Sequence, residues 1–116
     1  MSAELTANIV INFAKGGAEI TKSVGTTVTV AGTKYQTGIQ NIGTSDATLD
    51  KGDVGTIGFV YLKNLDATNY CDFGADGTNY PLRLNAGEFG YFRWNGAVHA
   101  KAHTAATDVE YVILES

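Results

Sequence analysis

Over residues 5–13 the hydrophobic positions fall on every second residue. Leu5, Ala7, Ile9, Ile11 and Phe13 take one face; Thr6, Asn8 and Asn12, with Val10 among them, take the other. A period of two marks a half-buried strand. Lys15-Gly16-Gly17 breaks the run. Residues 18–24 and 26–31 are short β-branched stretches on either side of Gly25, and predict neighbouring strands with a tight connection. Residues 34–42 continue the alternation weakly. Residues 43–55, GTSDATLDKGDVG, read as an exposed polar loop.

The second half carries stronger strand signals. Residues 56–65, TIGFVYLKNL, form one strand, and residues 70–73 resume after turn-forming residues at 64–69. The Asp76-Gly77 pair suits a turn with positive φ. Residues 80–84 and 89–94 follow, split by Asn85-Ala86-Gly87. Asn95-Gly96 is the strongest two-residue hairpin signal in the chain and predicts residues 98–102 folding back onto residues 89–94. Residues 109–114 close the domain. No stretch holds a helical period over a dozen residues. Many short strands spaced by turns predict an all-β fold, an antiparallel sandwich or barrel, in one domain over residues 1–116.

Composition narrows the function. A chain of 116 residues, 44% of them hydrophobic, is long enough for one core without a metal or disulfide. The net charge of −4 and the lack of Lys/Arg clusters argue against nucleic acid as a partner, because backbone binding needs a basic face. Cys71 is alone, so no intrachain disulfide is expected. The N-terminus does not read as a signal peptide, and no apolar run reaches membrane-spanning length, so no membrane partner is expected.

Few residues suggest chemistry. His99 and His103 are four apart, a zinc-binding spacing on a helix, but on a strand they lie about 13 Å apart. No metal or cofactor is therefore expected. Cys71 shares a strand face with Phe73 and reads as a small buried thiol; Asp72 beside it would raise its pKa. No Walker loop, dinucleotide fingerprint or nucleophile elbow occurs, and the acids do not match a calcium loop. The chain reads as a non-enzyme.

The stretch FRW and its neighbours carry the remaining signal. Phe89, Tyr91 and Arg93 share one face of a strand, and Phe92 and Trp94 the other. Ile57, Phe59 and Tyr61 oppose Val60 and Leu62 in the same way, as do Val109, Tyr111 and Ile113 against Val112 and Leu114. Aromatics beside an arginine can stack on sugar rings. Three strands apolar on both sides, however, need a second cover. Another subunit supplies it most simply; a closed barrel or a loop across the sheet are the rivals. Tyr91, Arg93 and Trp94 are the candidate contact residues, being of types enriched at interfaces.

The runs YLKNLDATNYCDFG, YPLRLNAGEFGYFRWNG and AKAHTAATDVEYVILES resemble small virion structural proteins of tailed bacteriophages. Those proteins share a YLKNL strand, an NY-x-x-FG turn, a PLRL-x-x-GE approach and an EY-x-I-x-E ending. The likeness covers the half from Phe59 onward. It implies a β-sandwich or jelly-roll protein without catalytic activity, assembled on the virion in the host cytoplasm. Capsid decoration (cement) is the favoured role, as a homo-oligomer bound to the major capsid protein. Decoration of icosahedral shells at local threefold axes makes a homotrimer the expected form. A head–tail connector is also compatible with the resemblance, and the main alternative is a tail- or fibre-associated module that recognises host-surface glycan.

Overall fold

The structure is a computed structural model and describes residues 5–28, 30 and 32–115. The chain divides into two compact units, Met1–Ala31 and Gly32–Ser116, where the sequence suggested one domain.

The first unit is a hairpin of β1 (Leu5–Lys15) and β2 (Ala18–Val28). Lys15 pairs with Ala18, so Gly16 and Gly17 form a two-residue connection. Their φ values of 59° and 85° are left-handed, as a type I′ turn needs, and that conformation is open to glycine at little cost. Gly25 does not divide two strands: β2 runs through it, paired opposite Asn8. A Cβ at Gly25 would meet the Oδ1 tip of Asn8, a side chain free to turn aside, so neither a turn nor a backbone approach requires glycine here. The remainder of the stretch read over 26–31 falls partly outside the described residues.

Among the described residues the second unit has eight strands: β3 (Tyr35–Ile42), β4 (Ala47–Thr48), β5 (Ile57–Asn64), β6 (Cys71–Gly74), β7 (Leu82–Leu84), β8 (Phe89–Arg93), β9 (His99–Ala102) and β10 (Thr107–Glu115). All pairings are antiparallel. The first strand of this unit pairs with its last, the second with the seventh, the third with the sixth and the fourth with the fifth. That is one long hairpin rolled up. The β10–β5 and β9–β6 pairings close it into two four-stranded sheets, β3-β10-β5-β8 and β4-β9-β6-β7. This strand order is a jelly roll. The all-β, antiparallel, sandwich-like architecture is the one the alternation and the resemblance suggested.

Asn95-Gly96 is not a hairpin turn. β9 pairs with β4 and β6, while β8 pairs with β5, so this segment carries the chain from one sheet to the other. Of these two residues only Gly96 has positive φ, 94°. The Trp94 indole N–H donates to the Ala97 carbonyl at 3.0 Å and closes the crossing locally. The stretch 43–55 is also more than an exposed loop. It contains β4, and Leu49 and Val54 are buried in the core.

The core lies between the two sheets of this unit. Val60 and Leu62 of β5, Val109, Tyr111 and Ile113 of β10, Ile42 of β3, Cys71 and Phe73 of β6, Leu84 of β7 and Ala100 and Ala102 of β9 form one buried cluster. A buried polar residue sits among them. The Asn64 side-chain N–H donates to the Leu84 and Asn69 carbonyls at 3.0 and 2.8 Å, and its Oδ1 accepts from the Asp66 N–H. Asn64 thereby holds the turn before β6 to the end of β7, satisfying backbone groups that burial would otherwise leave unpaired.

Cys71 is fully buried, and burial pushes its thiol pKa up. The thiolate, the reactive form, is thus disfavoured. Native protein is expected to react with a thiol reagent far more slowly than denatured protein; equal rates in an absorbance assay would contradict this packing.

Candidate functional site

The hairpin unit is amphipathic. Directly opposed residues of an antiparallel pair share a face, so the register sorts its side chains. Leu5, Ala7, Ile9, Ile11 and Phe13 stand opposite Val28, Thr26, Val24, Lys22 and Ile20. The reverse face pairs Thr6 with Thr27, Asn8 with Gly25, Val10 with Ser23 and Asn12 with Thr21. The apolar face is nonetheless exposed: Ile9, Ile11, Phe13, Ile20 and Val24 keep 44–59% of their surface accessible. The strand read as half-buried therefore has the right period and an exposed apolar side. A two-stranded sheet has no second layer of its own and is marginal in water without one. Counted over residues 1–31, two lysines balance two glutamates, so the whole net charge of −4 lies beyond residue 31. No net charge over this unit opposes stacking of such a ribbon on a like one, and Lys22 is a charged residue that the apolar face itself carries.

The outer face of the β3-β10-β5-β8 sheet is the second apolar surface. The register places Phe59 and Tyr61 of β5 opposite Arg93 and Tyr91 of β8, and Val112 and Leu114 of β10 opposite Tyr61 and Phe59. Phe59 and Tyr91 stack with centroids 6.0 Å apart, and the Arg93 guanidinium lies 4.7 Å from the Phe59 ring centre. These groups close over Phe59, which is only 6% exposed. The sheet's two-sided apolarity is thus met in part by its own side chains. At the two edge strands, Phe89, Tyr35 and Ile39 stay 69%, 67% and 63% exposed.

The three candidate contact residues separate. Tyr91 and Arg93 lie on this outer face, half-buried and exposed respectively. Trp94 is half-buried and packs against the core, its backbone N–H donating to the Gly58 carbonyl. Trp94 also lines, with Phe92, Leu82 and Pro81, an apolar groove of about 510 Å³ beside the edge strands β7 and β8.

The two histidines do different things. His99 Nδ1 lies 3.1 Å from the Asp46 carboxylate, whose Oδ1 also accepts the Tyr80 hydroxyl at 2.5 Å. His103 stacks on Tyr70, with centroids 4.6 Å apart. Among the described residues no three His, Cys, Asp or Glu side chains cluster closely enough to hold a metal ion. Comparison with protein-family models, curated proteins and solved structures finds no match to this chain.

The Asp46–Tyr80 bond sets a pH response. It lowers the Asp46 pKa and pushes the Tyr80 hydroxyl up to about 12. Nearby, the Asn79 and Thr78 N–H groups donate to Asp76 and bring its pKa from 3.8 to about 2. A raised tyrosine stabilises the fold below its unfolded value near 10 and loses that contribution as pH rises through about 12. A lowered carboxylate contributes above about 4 and is lost as pH falls towards 2. Ultraviolet titration is expected to show one phenol ionising last, near pH 12, and Tyr80→Phe should remove that step. An unchanged last step in the variant would contradict the assignment.

Proposed function

We propose that this protein is a noncatalytic structural component of a tailed-phage virion. In this reading it decorates the outside of the head shell, bound to the major capsid protein, as a homo-oligomer with a trimer favoured. One observation carries the assembly role: the apolar face of the β1–β2 hairpin, exposed over Ile9, Ile11, Phe13, Ile20 and Val24. An exposed apolar face of this kind marks a surface meant for another chain. Its cover would be the same ribbon from a second and third copy, since residues 1–31 carry no net charge and apolar residues stand on this face of both strands. Phe89, Tyr35 and Ile39 on the β3-β10-β5-β8 sheet offer a further apolar surface to the shell.

The virion assignment leans on the sequence resemblance. The jelly roll adds weight by analogy, since the fold recurs in viral capsid and lectin domains, though a fold alone does not set function. Electron microscopy of purified particles tests it. The expected result is density for this protein at many icosahedrally related positions on the head. Density confined to the tail would replace decoration with the tail-associated alternative, and its absence from particles would end the virion reading.

A further inference from the structure

The outer face of the β4-β9-β6-β7 sheet holds a cleft of about 520 Å³, within the size range of small-ligand clefts. The register builds it. Asp72 of β6 lies between Arg83 of β7 and Lys101 of β9, all pointing away from the core that Cys71 and Phe73 enter. Tyr70, Tyr80 and His103 complete the walls.

Most of these side chains are pinned. Arg83 forms a bidentate pair with Asp72, Nε to Oδ1 at 2.8 Å and Nη2 to Oδ2 at 3.1 Å. Its guanidinium also lies 3.7 Å from the centre of the Tyr70 ring, whose own plane stacks on His103. Tyr80 is held by Asp46 and by the Gly77 carbonyl. Surface side chains normally pay rotamer entropy when a ligand orders them; pinned ones do not. Lys101 stands apart. Among the described residues it forms no ion pair, and its ammonium lies 5.9 Å from the Tyr80 ring centre. The cleft thus combines aromatic rings, a fixed polar pair with spare donors and acceptors, and an unpaired cation, on a unit whose net charge is −4.

We propose that this cleft binds an acidic saccharide, a sugar chain carrying carboxylates. With Tyr70 covered by Arg83 and His103, the rings left to meet the apolar face of a pyranose are His103, exposed and backed by Tyr70, and Tyr80. The Asp72–Arg83 pair retains N–H groups and lone pairs for sugar hydroxyls. Lys101 supplies the charge-assisted bond to a carboxylate. With Arg83 committed to Asp72, Lys101 is the cleft's remaining Lys or Arg cation among the described residues, and one cation suits a singly charged carboxylate better than a doubly charged phosphate. The inference does not depend on where the protein sits on a particle or on its oligomeric state.

Saturation-transfer NMR and calorimetry on the full chain test it, with trigalacturonic acid as probe, maltotriose as neutral control and inorganic phosphate as anion control. Trigalacturonic acid is expected to bind, with maltotriose weaker by about tenfold and phosphate not competing. Lys101→Gln, an exposed change that leaves the core alone, should weaken the acid by about tenfold, one lost charge-assisted hydrogen bond, and maltotriose little. His103→Ala should weaken both sugars. No binding of trigalacturonic acid, equal binding by Lys101→Gln, or displacement by phosphate would each overturn the proposal.

Discussion

If the proposed oligomer forms through the hairpin, replacing Ile9, Ile11 and Phe13 together with threonine is expected to leave monomers while the jelly roll stays folded. The three residues lie on one face of β1, opposite Val24, Lys22 and Ile20, and each keeps about half its surface exposed. Threonine keeps the β-propensity of the strand, so the hairpin loses apolar area rather than its conformation. Fully burying such a side chain stabilises by about 1.5–3 kcal/mol. Half of that for three residues in each copy amounts to about 2–4 kcal/mol per copy, or a loss of at least about thirtyfold in association. The triple variant should elute and scatter as a single chain of 12.3 kDa. The cooperative unfolding of the body should persist, because its core cluster contains no residue from this unit. An unchanged oligomer would show that the ribbon face is not the contact.

The second large effect is on the body. Phe73→Ala is expected to cost about 3–5 kcal/mol, the range for emptying a buried aromatic site. Phe73 has no exposed surface and sits on β6 between Gly74 and Asp72, in a strand paired on both sides. Relaxation around the void is limited. Gly74 lies so near the Asn79 carbonyl that even a Cβ would collide with it, and Asp72 is tied to Arg83. Chemical denaturation should show the loss as a lower midpoint with an unchanged slope. A change below about 1 kcal/mol would mean the sheets are not packed as described.

Period-two alternation made β1, β5, β8 and β10 legible, because each is long enough for the pattern to repeat. Pairing was less legible. Asn95-Gly96 has the composition of a hairpin turn, yet local chemistry cannot report that β8 and β9 lie in different sheets; in a rolled hairpin the partner of β9 is β4, some fifty residues away. The two-residue turn occurs instead at Gly16-Gly17, which in sequence looked only like a break. Leu49 and Val54 were hidden in a polar loop because two isolated apolar residues make no period. Both faces of the FRW strand were visible as apolar, but which face met the core was not. The structure turns Phe92 and Trp94 towards the groove and core, and Tyr91 and Arg93 away. The acidic-sugar cleft was out of reach for another reason: Tyr70, Asp72, Tyr80, Arg83, Lys101 and His103 come from separate elements, and only the β6–β7 and β6–β9 registers bring them together.

The central claim is that the exposed ribbon face is an assembly surface. Sedimentation velocity of the intact chain across a dilution series tests it most directly. The account predicts a species of several chains, three favoured, that dissociates towards the 12.3 kDa chain only on dilution. A folded species of 12.3 kDa at every concentration, up to the high micromolar range, would contradict it.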